Sequence, residues 1–308
     1  MIDKMWSKKT LALSLSLILV LFCIWYLVFK EYDYRITFKT FEPTGSIYYN
    51  ILEWNNFENP KDKVVTTLST TPFSSITQEL KISDSIIKID WHFDKVNDST
   101  TKVIVDLRDE NNSLKQKLLI PFTKTDFEKR SLLTVKSVKY ALKELEKKFK
   151  LGKVDEDTLK SRFCVYIPIE CKMFDKANKM IYNDDFIMDF IRQNDLKLGG
   201  DPFLQVKKWD VKNETIAFDF CFPIEFKNDL PKSDELFYKR TNAQKSLKTV
   251  FNGNYRISDR SWFKILDYAE SNNIRIDSLP TEVYKNDPHS GGDELKWVAE
   301  IYMPIKEE

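Results

Sequence analysis

The chain has 308 residues, and its 48 lysines and arginines almost cancel its 47 aspartates and glutamates. That balance, without a basic stripe, argues against an electrostatic nucleic-acid binder, so no direct nucleic-acid binding is expected. Two histidines, four scattered cysteines and no CxxC argue against a zinc or c-type haem site; no metal and no cofactor are expected. Aromatic residues make up 14% of the chain, which fits either large β-rich cores or an aromatic-lined pocket.

The first segment, residues 1–9, is a short basic tail. Thr10 to Phe29 follows, a stretch without charge, proline or glycine. At helical rise these residues span about 30 Å, the thickness of a hydrocarbon core. Trp25 and Tyr26 sit near its far end, where interfacial aromatics belong. The run closes on Tyr-Leu-Val-Phe-Lys-Glu-Tyr, which lacks the small residues of a cleavage site, so an uncleaved transmembrane helix is expected. Lys4, Lys8 and Lys9 precede the span, and Lys30, Arg35 and Lys39 follow it. The basic tail favours soluble domains outside the cytoplasm, while unpaired Cys164, Cys171 and Cys221 weigh the other way. Those three thiols are expected to be free and buried.

Residues 34–152 are expected to form the first soluble domain. Tyr34 to Phe41 alternates like a half-buried strand, and Ile47, Ile51, Leu52 and Trp54 recur at helical spacing within Ser46 to Phe57. Strand-like runs follow at Val64–Ser69, Ser74–Ile82, Ser85–Val96, Thr101–Asp109 and Leu114–Phe122. In the clearest of them Ile87, Ile89, Trp91 and Phe93 share one face, and His92 faces solvent. Val135, Val138, Leu142, Leu145 and Phe149 predict a long amphipathic helix stopped by Gly152. Strand, short helix, antiparallel meander and long last helix resemble the helix-grip order of the START-type (SRPBCC) superfamily. That resemblance implies a curved sheet able to enclose an apolar cavity; a plain α+β core is the alternative.

Residues 159–308 contain two stretches that align, Glu214–Ile224 and Leu295–Ile305. In register, Pro223 falls on Pro304, Cys221 on Tyr302 and Asp219 on Glu300. Pro202–Val206 likewise falls on Pro280–Tyr284. A helix precedes each of these strands, one through Ala177, Ile187 and Ile191 with a break near Asp184-Asp185, the other through Trp262, Ile265 and Ala269. Phe163–Glu170 and Leu236–Lys245 are the expected opening strands. Two strand-helix-strand-strand units, residues 159–227 and 234–306, are therefore expected about a pseudo-two-fold. The fold class is α+β: an N-terminal transmembrane helix, a helix-grip-like antiparallel sheet domain, then this duplicated domain. Alternation turns Trp297, Ala299, Ile301 and Met303 to the core and Glu300 and Tyr302 to the other face, with Asp219 repeating the pattern. Those acids read either as solvated or as the floor of a groove between the units.

Phe251-Asn-Gly-Asn-Tyr255, Trp262, Pro280-Thr-Glu-Val-Tyr284-Lys-Asn-Asp287-Pro288 and Trp297-Val-Ala-Glu300-Ile-Tyr-Met-Pro304-Ile305 resemble the GyrI-like effector-binding domain of AraC-type and MerR-type regulators. The resemblance covers the last half of the chain. It implies an amphipathic, often cationic small molecule held in a groove between the units. Glu300 would be its charged anchor, with Asp219 the matching acid and Tyr284, Tyr255, Trp262 and Tyr302 as walls. Aromatic faces would add cation–π attraction of about 0.5–2 kcal/mol each. Phe251 stands where many members carry histidine, and a membrane span replaces the regulators' helix-turn-helix.

Three functions fit these observations. The first is a membrane-anchored sensor or carrier of an amphipathic or cationic molecule, without a catalytic residue. The second is a GyrI-like hydrolase of reactive electrophiles in which Glu300 handles water. The third is a non-catalytic envelope scaffold. Nucleophilic triads, phosphate-cradling loops and metal motifs are absent from the sequence, which favours the first.

Overall fold

The computed structural model describes residues 8–52, 54, 63–82 and 84–306. α1 (Lys8–Ile24) continues into a π-helical turn, Trp25–Phe29. Leu11–Phe29 is long and apolar enough to cross a membrane, a property that a signal sequence shares. The chain divides into two compact units. One comprises Met1–Lys39, Asn50–Asp94 and Lys102–Ala141, the other Thr40–Tyr49, Lys95–Thr101 and Leu142–Glu308.

The first sheet takes β1 (Tyr34–Thr40), β2 (Lys63–Thr71), β3 (Ser75–Ile82), β4 (Ser85–Asn97) and β5 (Thr100–Asp109) in the order β1-β5-β4-β3-β2. α2 (Thr44–Leu52) follows β1 in the chain. The period-two reading of β4 holds: Ile87, Ile89, Trp91 and Phe93 are buried, and His92 is exposed. Fully buried Gln78 accepts the indole N–H of both Trp54 and Trp91 at 3.0 Å, which satisfies three polar groups inside the core.

Two expectations in this region fail. Leu114–Phe122 is not a strand: Ser113–Leu119 is a helix, α3. Its polar residues Gln116 and Lys117 point inward to fixed partners, which an alternating apolar pattern does not foresee. The long helix, α4 (Asp126–Leu145), ends before Phe149. Phe149–Leu151 is a strand, β6, whose Phe149 stacks on Phe251 at 5.8 Å. Pairing with a distant strand overrides a helical spacing that happened to continue.

The second sheet has nine strands. They are β6, β7 (Asp155–Leu159), β8 (Phe163–Lys172), β9 (Phe203–Asp210), β10 (Thr215–Pro223), β11 (Phe237–Arg240), β12 (Gln244–Gly253), β13 (Thr281–Tyr284) and β14 (Val298–Pro304). The order is β11-β8-β10-β9-β13-β14-β12-β6, with β7 also on β12. The sheet thus begins ahead of residue 159, the expected boundary, because β6 and β7 hydrogen-bond to β12. The expected strand Leu236–Lys245 is in fact two, β11 on β8 and β12 on β14, separated at Thr241–Ala243. Asp184-Asp185 does not interrupt α5 (Lys176–Gln193).

The elements run β8-α5-β9-β10 and then, with α6 as Arg260–Ser271, β12-α6-β13-β14. That order is consistent with two related units. They adjoin where β9 pairs with β13, Leu204 lying opposite Glu282. The helices cover one face, burying Ile187, Ile191, Trp262 and Ile265 against Phe218, Phe251, Ile301 and Met303. On the opposite face a smaller cluster gathers Cys164, Phe203, Cys221, Val283 and Tyr302. Cys164, Cys171 and Cys221 are free.

On α6, burial pushes the Asp267 carboxyl from the ordinary 3.8 to about 6, although Lys95 lies 3.8 Å away and the Thr44 N–H donates to it at 3.3 Å. The fold keeps this proton where the unfolded chain has lost it, so its stabilising effect is complete below pH 3.8 and fades as pH rises through about 6. Asp267→Asn is expected to raise stability at neutral pH by about 1–3 kcal/mol and to flatten that decline. Denaturant midpoints across the interval check this. An unchanged pH slope in the variant assigns the decline to another group.

Candidate functional site

β13 places Glu282 and Tyr284 on the helix-covered face, because residues two apart on a strand point the same way. Glu282 has no exposed surface. Its Oε1 accepts from Trp262 Nε1 at 2.6 Å and from Lys176 Nζ at 3.2 Å. Its Oε2 accepts from Ser258 Oγ and from Tyr284 OH, each at 2.6 Å. Four donors therefore saturate this carboxylate, and one of them is a cation.

Each donor is delivered by a separate piece of chain. α6 presents Trp262, while the 3-10 turn Tyr255–Ile257 just before it leads into Ser258. Gly253 ends β12 at φ +154, where a Cβ would meet Phe149 Cβ at 2.8 Å, so only glycine permits this entry into Tyr255. Lys176 opens α5 from the other half and is 1% exposed. A cation in a first helical turn opposes the helix dipole, at a cost of about 0.3–1 kcal/mol, so its place there is set by Glu282. Its ammonium also lies 3.1 Å from Ser258 Oγ, 4.0 Å from Asp259 and 5.0 Å from the Trp262 ring centroid.

Further aromatic rings pack around the Glu282 carboxylate. Tyr255 and Tyr284 approach at 4.8 Å between centroids, and Tyr255 meets Trp297 at 5.7 Å. Trp209 packs edge-on against Trp262 at 5.2 Å. Burial, then the neighbouring Glu282 carboxylate, pushes the Tyr284 phenol far above its ordinary value, so it remains a hydrogen-bond donor. Burial also pushes Tyr255 up to about 12.

Of the residues expected from sequence, the structure brings Tyr255, Trp262 and Tyr284 together. Glu300, Tyr302 and Asp219 are not with them; they lie on the opposite face of the sheet, with Val283 and Cys221. Glu300 is held by Lys248 at 2.8 Å and Lys285 at 3.0 Å, and Tyr302 OH donates to it at 3.2 Å. Burial alone would raise its carboxyl; the two ammonium groups outweigh that and hold it below the usual range. Asp219 is paired with Lys239 at 2.5 Å. Glu300 therefore does not share a face with Tyr255, Trp262 and Tyr284: strand parity puts it on the other side of the sheet.

Glu282 and Lys176 escaped the sequence reading. A single strand glutamate reads as solvated, and its partner lies 106 positions away. One signal was present: in the aligned strands Glu282 falls on Leu204, a buried leucine. An acid at a core position needs internal partners.

An acid enclosed by aromatic rings beneath two helices, on an antiparallel sheet, is an arrangement suited to a small-molecule-binding type of domain. Residues 158–306 match the GyrI-like small molecule binding domain, and this part of the chain is a GyrI-like domain. The EcmrR C-terminal domain is 16% identical over 51% of this chain and 99% of its own, with a TM-score of 0.44. SAV2435 bound to tetraphenylphosphonium is 15% identical over 50% of this chain and 94% of its own, at 0.35. A hydrolase from Listeria innocua is 10% identical over 50% and 92%, at 0.34. No curated protein matches the chain.

Proposed function

We propose that this chain is a membrane-tethered sensor or carrier whose GyrI-like domain binds an amphipathic cation at Glu282. The observation that carries the reading is a fully buried carboxylate whose one charged donor, Lys176, comes from the other half. A guest cation that takes the place of that ammonium leaves the buried charge balanced, which is the condition for burying an ion at all. Trp262, Tyr255 and Tyr284 then offer π faces and apolar area to the rest of the guest. Leu11–Phe29 supplies the tether. Neither Glu300 nor Asp219 is part of this reading, since both lie on the opposite face of the sheet from Trp262, Tyr255 and Tyr284.

The test uses two probes of like shape and opposite charge on the full chain in detergent, read as thermal stabilisation. Tetraphenylphosphonium is expected to raise the midpoint and tetraphenylborate to leave it unchanged. At a hundredfold excess over Kd the gain is about 2.7 kcal/mol, or several degrees. Glu300→Gln is expected to respond like wild type, and Glu282→Gln to lose the response. Equal shifts with both probes, or a full response in Glu282→Gln, would falsify the assignment.

A further inference from the structure

α3 is built inside out. Its polar residues Gln116 and Lys117 are buried, while Leu114 and Leu118, one turn apart, are 58% and 51% exposed. Phe122, just past its end, is 88% exposed. The inward side explains itself. Gln116 Nε2 donates to Asp109 at 2.9 Å, and Asp109 N–H donates to buried Asp33. Lys117 Nζ donates to the carbonyls of Leu27 and Lys30, and Tyr26 OH returns a bond to the Lys117 carbonyl at 3.1 Å. These bonds fix α3 to the last turn of the apolar N-terminal helix. Among the described residues, no packing covers the outward leucines and Phe122. Water is a poor solvent for such a patch, and rigid attachment keeps it from folding away.

We infer that α3 and Phe122 form a second membrane contact, lying in the interfacial layer of the same bilayer that Leu11–Phe29 crosses. The inference rests on the spanning reading of that helix. Its occupant follows from continuity: the patch is hydrogen-bonded to Leu27 and Lys30, the point where the span leaves the hydrocarbon. Val28 and Phe29, 70% and 69% exposed, carry the apolar surface from the span towards it. Leucines and a phenylalanine on an otherwise polar element suit the boundary between acyl chains and headgroups, and exposed Lys115 and Lys124 flank it for anionic headgroups. Two contacts at one bilayer surface fix the tilt of the first unit there, which a lone span does not.

Site-specific lipid crosslinking decides it. A benzophenone amino acid is placed at Leu19, Leu118, Phe122 or Tyr140 of the full chain, in vesicles of phosphatidylcholine and phosphatidylglycerol, and adducts are identified by mass spectrometry. Leu19 reports the span, and Tyr140, 66% exposed on α4, reports the aqueous side of the same unit. Lipid adducts are expected at Leu19, Leu118 and Phe122, several-fold above Tyr140. Adducts at Leu19 with only the Tyr140 level at Leu118 and Phe122 overturn the inference and leave the span standing. Protein adducts in place of lipid at those positions overturn it too. No lipid at Leu19 sinks the spanning reading, and the inference with it.

Discussion

Glu282→Gln is expected to destabilise the GyrI-like domain by about 3–5 kcal/mol, because it strands the Lys176 ammonium in a core where neither residue meets water. Asp259 does not substitute: it lies 4.0 Å from Lys176 and already binds Arg260 at 2.9 Å. With its one oxygen turned to Trp262 the neutral amide keeps that bond, while its NH2 faces the Ser258 and Tyr284 hydroxyls, so the counter-charge and part of the bonding are lost. The second arm of the experiment is Lys176→Met with Glu282→Gln. Removing both charges takes away the imbalance, and buried pairs replaced this way are often near neutral. Chemical denaturation of the four proteins in the cycle is expected to give a coupling of about 2 kcal/mol or more. Additive losses would mean that the two side chains do not act as a pair.

Lys176→Met alone is expected to tighten the binding of tetraphenylphosphonium by about two orders of magnitude. In the wild type a guest must first expel an ammonium that is already bonded to Glu282 and Ser258. The apparent affinity is lowered by the fraction of molecules in which that has happened. A contact of about 3 kcal/mol corresponds to about a hundredfold. Without the lysine, Glu282 keeps three neutral donors, Trp262, Ser258 and Tyr284, and waits for a positive charge. The free variant is expected to be less stable than wild type and the saturated variant to regain most of the difference. Titration calorimetry measures the affinity. Equal affinity in the two proteins would place the cation elsewhere.

Much of this architecture was legible from pattern alone. Alternation in β4 named its buried face, and the aligned Pro-Ile endings located β10 and β14. What pattern missed shares one physical cause, dependence on a partner remote in sequence. Phe149 continues a helical spacing yet pairs with Gly253, and α3 turns its polar side inward only because Asp109 and the end of the apolar helix are there to receive it. The site divides the same way. Trp262 and Tyr284 were named because aromatic residues announce burial by themselves. Glu282 was passed over because a carboxylate announces burial only through its donors, and Lys176, Ser258 and Trp262 lie 106, 24 and 20 positions away.

The junction of the two halves is short: three residues of β13 face three of β9, with Glu282 in the middle. Lys176 reaches over that seam like the pin of a hinge, rooted in one leaf and lodged in the other. On the proposed reading, a guest that expels the pin would remove this one charged tie across the seam while the shared core and the β9–β13 pairing stay in place. Occupancy would then register as a change in stiffness at the middle of the sheet, and a tether or neighbouring protein attached to either leaf could feel it without touching the guest.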